Sequence, residues 1–167
     1  MRWERLFADL EAQADDLALS ERDALVEELR DSDWAQTSWR ELLGGHVALQ
    51  VQGLGLLEGR VELVNERLVH VRASHADVVV AVGAVASVLA HERRADPLSR
   101  VGDRLGWRIV LRALRDEDER VRLVRPDGAT HDGVVVVVGQ DFVTVRDDIG
   151  REQAVPFAAI AALVNRR

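Results

Sequence analysis

Short apolar segments separated by turn-forming residues run from Val121 to Val164, near the end of the chain. The first segment alternates apolar residues with Arg, whereas the run from Gly133 to Val138 is apolar throughout. Alternation is typical of a strand with one buried face, and a short continuous apolar run fits a strand that is buried on both faces. The pattern predicts five short strands, within 121–125, 133–138, 142–145, 153–157 and 159–164.

An earlier stretch, Val47 to Leu89, carries the same pattern. Gly59 aligns with Gly133 when the chain is shifted by 74 residues, and Val80 aligns with Val155 after one further residue. A Gly at the same place in both stretches indicates a bend in the second strand of each. We therefore predict a duplicated module. The alternative is that two Val-rich stretches align by chance.

The later stretch resembles the Sm-like branch of the SH3-like barrels. The resemblance lies in the Asp127-Gly128 turn, the Gly133 bend, the Asp141-Phe142 segment and Val155-Pro156-Phe157 leading into Ile160. It implies an α+β protein with two tandem five-stranded barrels, each preceded by helix, and it raises RNA binding as a possible activity. Where that family places an RNA-contacting Asn this chain has Val143 or Thr144, and Val155-Pro156 replaces its Arg-Gly.

The remaining segments are predicted to be mostly helical. Apolar spacing predicts an amphipathic helix over 3–14, Ser20 is a candidate N-cap for a second helix, and Ser38 is one for a short third helix. A further helix is expected over 103–115, and all four Trp are expected to pack in the core. The predicted organisation is a helical segment 1–45, a first barrel 46–91, a linker 92–102, and a helix with the second barrel over 103–167.

Composition excludes several kinds of chemistry. The chain has no Cys, which excludes disulfides and thiolate metal ligands, and no Lys, which excludes a P-loop and a Lys Schiff base. The five His lack metal-ligand spacing, so no metal, cofactor or catalytic residue is predicted. The charged start and the short apolar runs predict a cytoplasmic protein with no membrane partner. The Lys-free composition, rich in Ala, Val, Leu and Arg, resembles that of proteins from high-GC bacteria.

The candidate binding site is a stripe of four arginines, Arg104, Arg108, Arg112 and Arg115, whose spacing places them on one side of a helix. One interpretation is a surface for phosphate or an acidic partner, because Arg forms bidentate contacts with such groups. The alternative is a solvated face that pairs with nearby acids such as Asp116 to Glu119. The formal net charge of −7 disfavours binding of nucleic acid by bulk electrostatics.

Two functions follow as hypotheses. The first is a non-enzymatic interaction or regulatory protein that binds a protein partner, with a homo-oligomer as a further possibility. The alternative is an RNA-binding or ribosome- or RNA-processing accessory protein that uses the Arg stripe and the Sm-like barrels. No nucleophile–base or acid–base set is recognisable, so the sequence does not predict an enzyme.

Overall fold

The computed structural model describes residues 2–94 and 105–166, with the backbone alone for residues 2–14. The chain divides into two compact units, Met1–Ser38 and Trp39–Arg167. The first unit contains helix α1 (Arg2–Gln36). The second contains a short 3-10 helix (Trp39–Leu42), helix α2 (Trp107–Asp116) and all the strands.

Helix α1 is one continuous helix of 35 residues. The prediction of separate helices over 3–14 and after Ser20 is therefore wrong. Neither Gly nor Pro occurs between residues 2 and 36, and a Ser inside a helix costs less than about 0.7 kcal/mol relative to Ala. Good helix formers on both sides thus carry the helix through Ser20. The segment predicted as a third helix is the 3-10 helix.

The strands of the second unit form one open antiparallel sheet among the described residues, in the order β5-β1-β2-β3-β4-β10-β6-β7-β8-β9. Their bounds are β1 His46–Val51, β2 Gly55–Val64, β3 Leu68–Arg72, β4 Ala76–Ala81, β5 Val85–Ala90, β6 Arg120–Val124, β7 Thr130–Val138, β8 Phe142–Arg146, β9 Glu152–Pro156 and β10 Ala162–Arg166. The overall class is α+β, as the sequence predicted.

The prediction of two closed five-stranded barrels, each preceded by helix, is wrong. Strand β10 pairs on one side with β6 and on the other with β4, so that Leu163 lies between Leu123 and Val79. The second edge of β4 therefore pairs with β10. A pair between β4 and β5 would have closed the first half into a barrel. Every residue of β10 from 162 to 164 has a strand neighbour on both sides, and the sheet continues through the junction.

Each half of the sheet has the same internal construction. A Cβ added to Gly59 would lie 2.4 Å from the Arg72 carbonyl oxygen, and one added to Gly133 would lie 2.0 Å from the Arg146 carbonyl oxygen. Strands β2 and β7 each shift register shortly after that Gly. These backbones approach more closely than any Cβ allows, which explains why both positions require Gly.

Two apolar clusters form the core. The first is centred on strands β1 to β4 and includes Leu49, Val69 and Val80, each 0% exposed. The second is centred on β6 to β9, where Leu111 of α2 packs against strand residues such as Leu123. The buried face of α2 consists of Trp107, Leu111 and Leu114, whose spacing of four and three residues places them on one side of the helix.

A buried Asn fixes the chain just before α2. Asn65 is 0% exposed, and its Oδ1 accepts hydrogen bonds from the backbone N–H of Arg67 and of Leu68, at 2.7 and 2.8 Å. Its Nδ2 donates to the Leu105 carbonyl oxygen at 2.9 Å. The side chain thus has partners at both ends, as a buried amide requires. The predicted helix over 103–115 begins at Trp107 in the structure, and residues 95–104 lie outside the described residues.

Among the residues that the structure describes, the outer strands β5 and β9 each pair with one strand only. At the junction the Ala81 N–H of β4 donates to the Ala161 carbonyl oxygen at 2.9 Å. The corresponding residue of β9 is Pro156, which has no N–H to donate. Strand β5 shifts register twice against β1. Proline and bulges are the means by which natural sheets prevent unwanted pairing at their edges.

Candidate interaction surface

Helix α1 concentrates the negative charge of the protein. Between residues 2 and 36 the chain has an excess of seven acidic residues over Arg, equal to the formal net charge of the whole protein. The helix carries eleven acidic residues and four arginines: Glu4, Asp9, Glu11, Asp15, Asp16, Glu21, Asp23, Glu27, Glu28, Asp31, Asp33, with Arg2, Arg5, Arg22 and Arg30. Any surface that binds α1 closely therefore meets a negative potential.

The same helix presents apolar side chains to solvent. Every side chain from residue 15 to residue 36 is exposed. Leu17, Leu25 and Leu29 are 64%, 56% and 62% exposed and lie within an arc of about 120° around the helix axis. We call these three residues the apolar stripe. By helical spacing, positions 3, 7, 10 and 14, occupied by Trp, Phe, Leu and Ala, continue the same line toward the N-terminus.

Other exposed apolar residues of α1 lie off the stripe. Leu19 is 56% exposed, like Leu25, but lies about 120° from it around the axis. Trp34 is 55% exposed, so the expectation that it packs in the core is wrong. Trp39, at the start of the second unit, is 37% exposed, whereas Trp107 packs against the second core cluster. The side chain of Trp3 lies outside the described residues.

The structure describes three of the four arginines of the predicted Arg stripe. Arg104 lies outside the described residues, whereas Arg108, Arg112 and Arg115 follow one flank of α2. Arg108 donates to the Gln140 carbonyl oxygen at 2.7 Å, and Arg115 pairs with Asp116 at 2.7 Å. Arg112 is exposed.

The neighbouring arginines of the second half pair with acids on adjacent strands and turns. Arg122 of β6 forms a two-pronged contact with Asp132 of β7, at 2.6 and 2.9 Å. Arg120 pairs with Asp148, and Arg125 pairs with Asp127 at 2.9 Å. The hydrogen bond from Arg122 lowers the pKa of Asp132, and the same hydrogen bond raises the pKa of Arg122. These pairs neutralise much of the positive charge that the sequence places in this region.

An open groove of about 700 Å³ lies beside the start of β7 and the β8–β9 connection. Its lining includes His131, Asp132, Asp147 and Arg151. The side chain and backbone N–H of Arg151 both bond to the Asp147 carboxylate, which lowers the pKa of Asp147. Within the described residues no group of three or more His, Cys, Asp or Glu is arranged to hold a metal ion.

Comparison of the sequence with protein-family models finds no match, and comparison with curated proteins finds none. No described helix combines the length and the apolar character needed to cross a membrane. Among the described surfaces, the apolar stripe of α1 has the side chains that are best suited to contact a partner.

Proposed function

We propose that this protein is a non-enzymatic interaction protein of the cytoplasm, in which α1 docks onto a protein partner through the apolar stripe. The observation that carries the proposal is the exposure of Leu17, Leu25 and Leu29 along one side of a long helix. Isolated apolar residues are common on protein surfaces, but an ordered apolar stripe on a helix usually faces another surface.

The apolar stripe supplies only part of the binding free energy. Complete burial of an exposed Leu contributes about 1.5–3 kcal/mol, and each Leu of the stripe has somewhat more than half of its surface left to bury. Three such residues therefore contribute about 3–5 kcal/mol. Association costs at least about 4 kcal/mol in lost freedom. A stable complex thus needs further contacts beyond these three leucines.

The sheet unit serves as the folded body that carries this helix. Pro156 and the register shifts of β5 disfavour further strand pairing at its edges. A homo-oligomer built by extending the sheet is accordingly a weaker hypothesis than docking through α1.

RNA binding through α2 remains a second hypothesis, supported by the exposed Arg112 and its neighbours Arg108 and Arg115. It predicts an affinity for RNA that falls steeply with salt and drops when these three residues are replaced together by Ala. The ion pairs around Arg120 and Arg122 weaken this hypothesis, because phosphate would have to compete with carboxylates already in place.

The test is a pull-down from native lysate with the full-length protein, washed with or without RNase. Leu25→Gln is compared with the matched control Leu19→Gln, because both residues are equally exposed and Gln preserves helix propensity. The proposal predicts protein partners that withstand RNase, are lost with Leu25→Gln and are kept with Leu19→Gln. Material that disappears with RNase would favour the RNA hypothesis instead. Partners that are indifferent to both variants would contradict docking through the apolar stripe.

A further inference from the structure

We infer that the partner of α1 is a basic amphipathic helix of another protein. This inference rests on the proposed function and specifies the chemistry of the partner. It follows from the two carboxylates inside the apolar stripe, from the charge of α1, and from the narrow width of the stripe.

Two acidic residues lie within the arc of the apolar stripe. Glu21 and Glu28 are placed by helical spacing between the directions of Leu17 and Leu25. A carboxylate that becomes buried without a partner is strongly destabilising. A surface that covers the stripe must therefore bring a cation to each of them. A purely apolar groove would leave both charges unpaired.

The spacing of these carboxylates matches a helix. Glu21 and Glu28 are seven residues apart, which is two helical turns or about 10.5 Å. A second helix packed alongside presents residues at the same interval, so Arg or Lys seven positions apart would meet both carboxylates. An arc of about 120° is also the width that one helix covers when it packs lengthwise against another. The exposed leucines then fit between the apolar residues of the partner.

The negative charge of α1 disfavours three other binding partners for the apolar stripe. A second copy of this chain would bring a second excess of seven negative charges to the interface, and its Glu21 and Glu28 would need cations as well. Nucleic acids and anionic membrane surfaces are repelled for the same reason. A basic helical segment satisfies both the leucines and the carboxylates.

The experiment titrates the full-length protein with a labelled synthetic helix of four heptads, with Leu at a and d and Lys at e and g. Binding is followed by fluorescence anisotropy. One control peptide has the same composition in scrambled order, and another has Glu in place of Lys. We expect the Leu/Lys helix to bind at least about ten-fold more tightly than either control, because only it offers a basic and continuous apolar face.

Matched variants separate stripe docking from simple charge attraction. We expect Leu25→Gln to weaken binding of the Leu/Lys helix about five- to ten-fold and Leu19→Gln to have little effect. We expect the double change Glu21→Gln with Glu28→Gln to weaken it more than Asp23→Asn with Glu27→Gln. The second pair removes the same charge from outside the stripe. Circular dichroism verifies that each variant keeps its helix.

Several results would overturn the inference. Equal binding of the scrambled peptide, or equal effects of the matched variants, would show that only bulk charge is involved. A dimer at low salt that Leu25→Gln dissociates would identify a second copy as the occupant. A loss of thermal stability with Leu25→Gln but not with Leu19→Gln would show that the chain covers its own stripe. If the peptide fails to bind while the lysate pull-down still shows a stripe-dependent partner, the inference is wrong and the proposed function stands.

Discussion

The junction between β4 and β10 provides a direct test of the single ten-stranded sheet. Replacing Ala81 by Pro removes the N–H that donates to the Ala161 carbonyl oxygen at 2.9 Å. The backbone at Ala81 already has φ −65°, close to the −60° of Pro156 at the matching place in β9. Proline therefore fits the local conformation, and the change acts mainly on the contact across the junction.

The expected loss of stability can be worked out from the structure. Ala161 is 0% exposed, so its carbonyl oxygen loses a partner that water does not readily replace. An unsatisfied buried acceptor costs about 1–3 kcal/mol. Proline at a compatible position stabilises the folded state by about 0.4–1 kcal/mol, because it reduces the conformational entropy of the unfolded chain. The net effect of Ala81→Pro is then a destabilisation of up to about 2.6 kcal/mol, and of about 1.3 kcal/mol at the middle of the two ranges.

Urea denaturation measures this difference, and amide hydrogen exchange locates it. We expect faster exchange in β4 and β10 than in β1 or β8. Pro156→Ala is the control, because it is the reverse change at the matching place of the outer strand β9 and should cost only about 0.4–1 kcal/mol through the unfolded state. If Ala81→Pro were more stable than the parent and exchange in β4 and β10 were unchanged, the junction hydrogen bond would be absent.

Three further predictions concern the core and the ion pairs of the second half. Leu111→Ala should destabilise the protein by about 2–5 kcal/mol in urea titration, since Leu111 is fully buried where α2 meets the sheet. Gly133→Ala should prevent stable folding or cost several kcal/mol in the same assay, because its Cβ would lie 2.0 Å from the Arg146 carbonyl oxygen. Because its folded-state pKa is lowered, Asp132 contributes stability above the ordinary Asp pKa of 3.8 that is lost as the pH falls through the lower value. In Arg122→Gln the pKa of Asp132, followed by NMR titration, should rise toward its ordinary value, and an unchanged pKa would contradict this assignment.

Much of the local structure of the sheet unit could be read from the sequence. Alternation and the Gly bends placed the strands, because side-chain periodicity and close backbone approach are local properties. Whether each set of five strands closes into a barrel could not be predicted from these local properties. An apolar strand such as Ala162–Arg166 can pair on either edge, and its pattern does not specify whether its second neighbour is β9 or β4. The prediction of two barrels was wrong because this second neighbour could not be identified from the sequence.

The candidate surfaces were predictable to different degrees. The acids that pair with Arg120 and Arg122 lie on other strands and turns, at Asp148 and Asp132, so strand register had to be known before the pairs could be seen. The apolar spacing of α1 was visible in the sequence, but its exposure was not. An amphipathic pattern predicts that a face is covered without specifying whether the cover belongs to the same chain.

Photo-cross-linking in cells tests the central claim most directly. A photoreactive amino acid is placed at Leu25 in one variant and at Leu19 in the other, in the full-length protein. The proposed function predicts a discrete protein adduct from position 25 and little or none from position 19, because only the first faces the partner. Equal adducts from both positions, or an adduct from position 19 alone, would contradict docking through the apolar stripe.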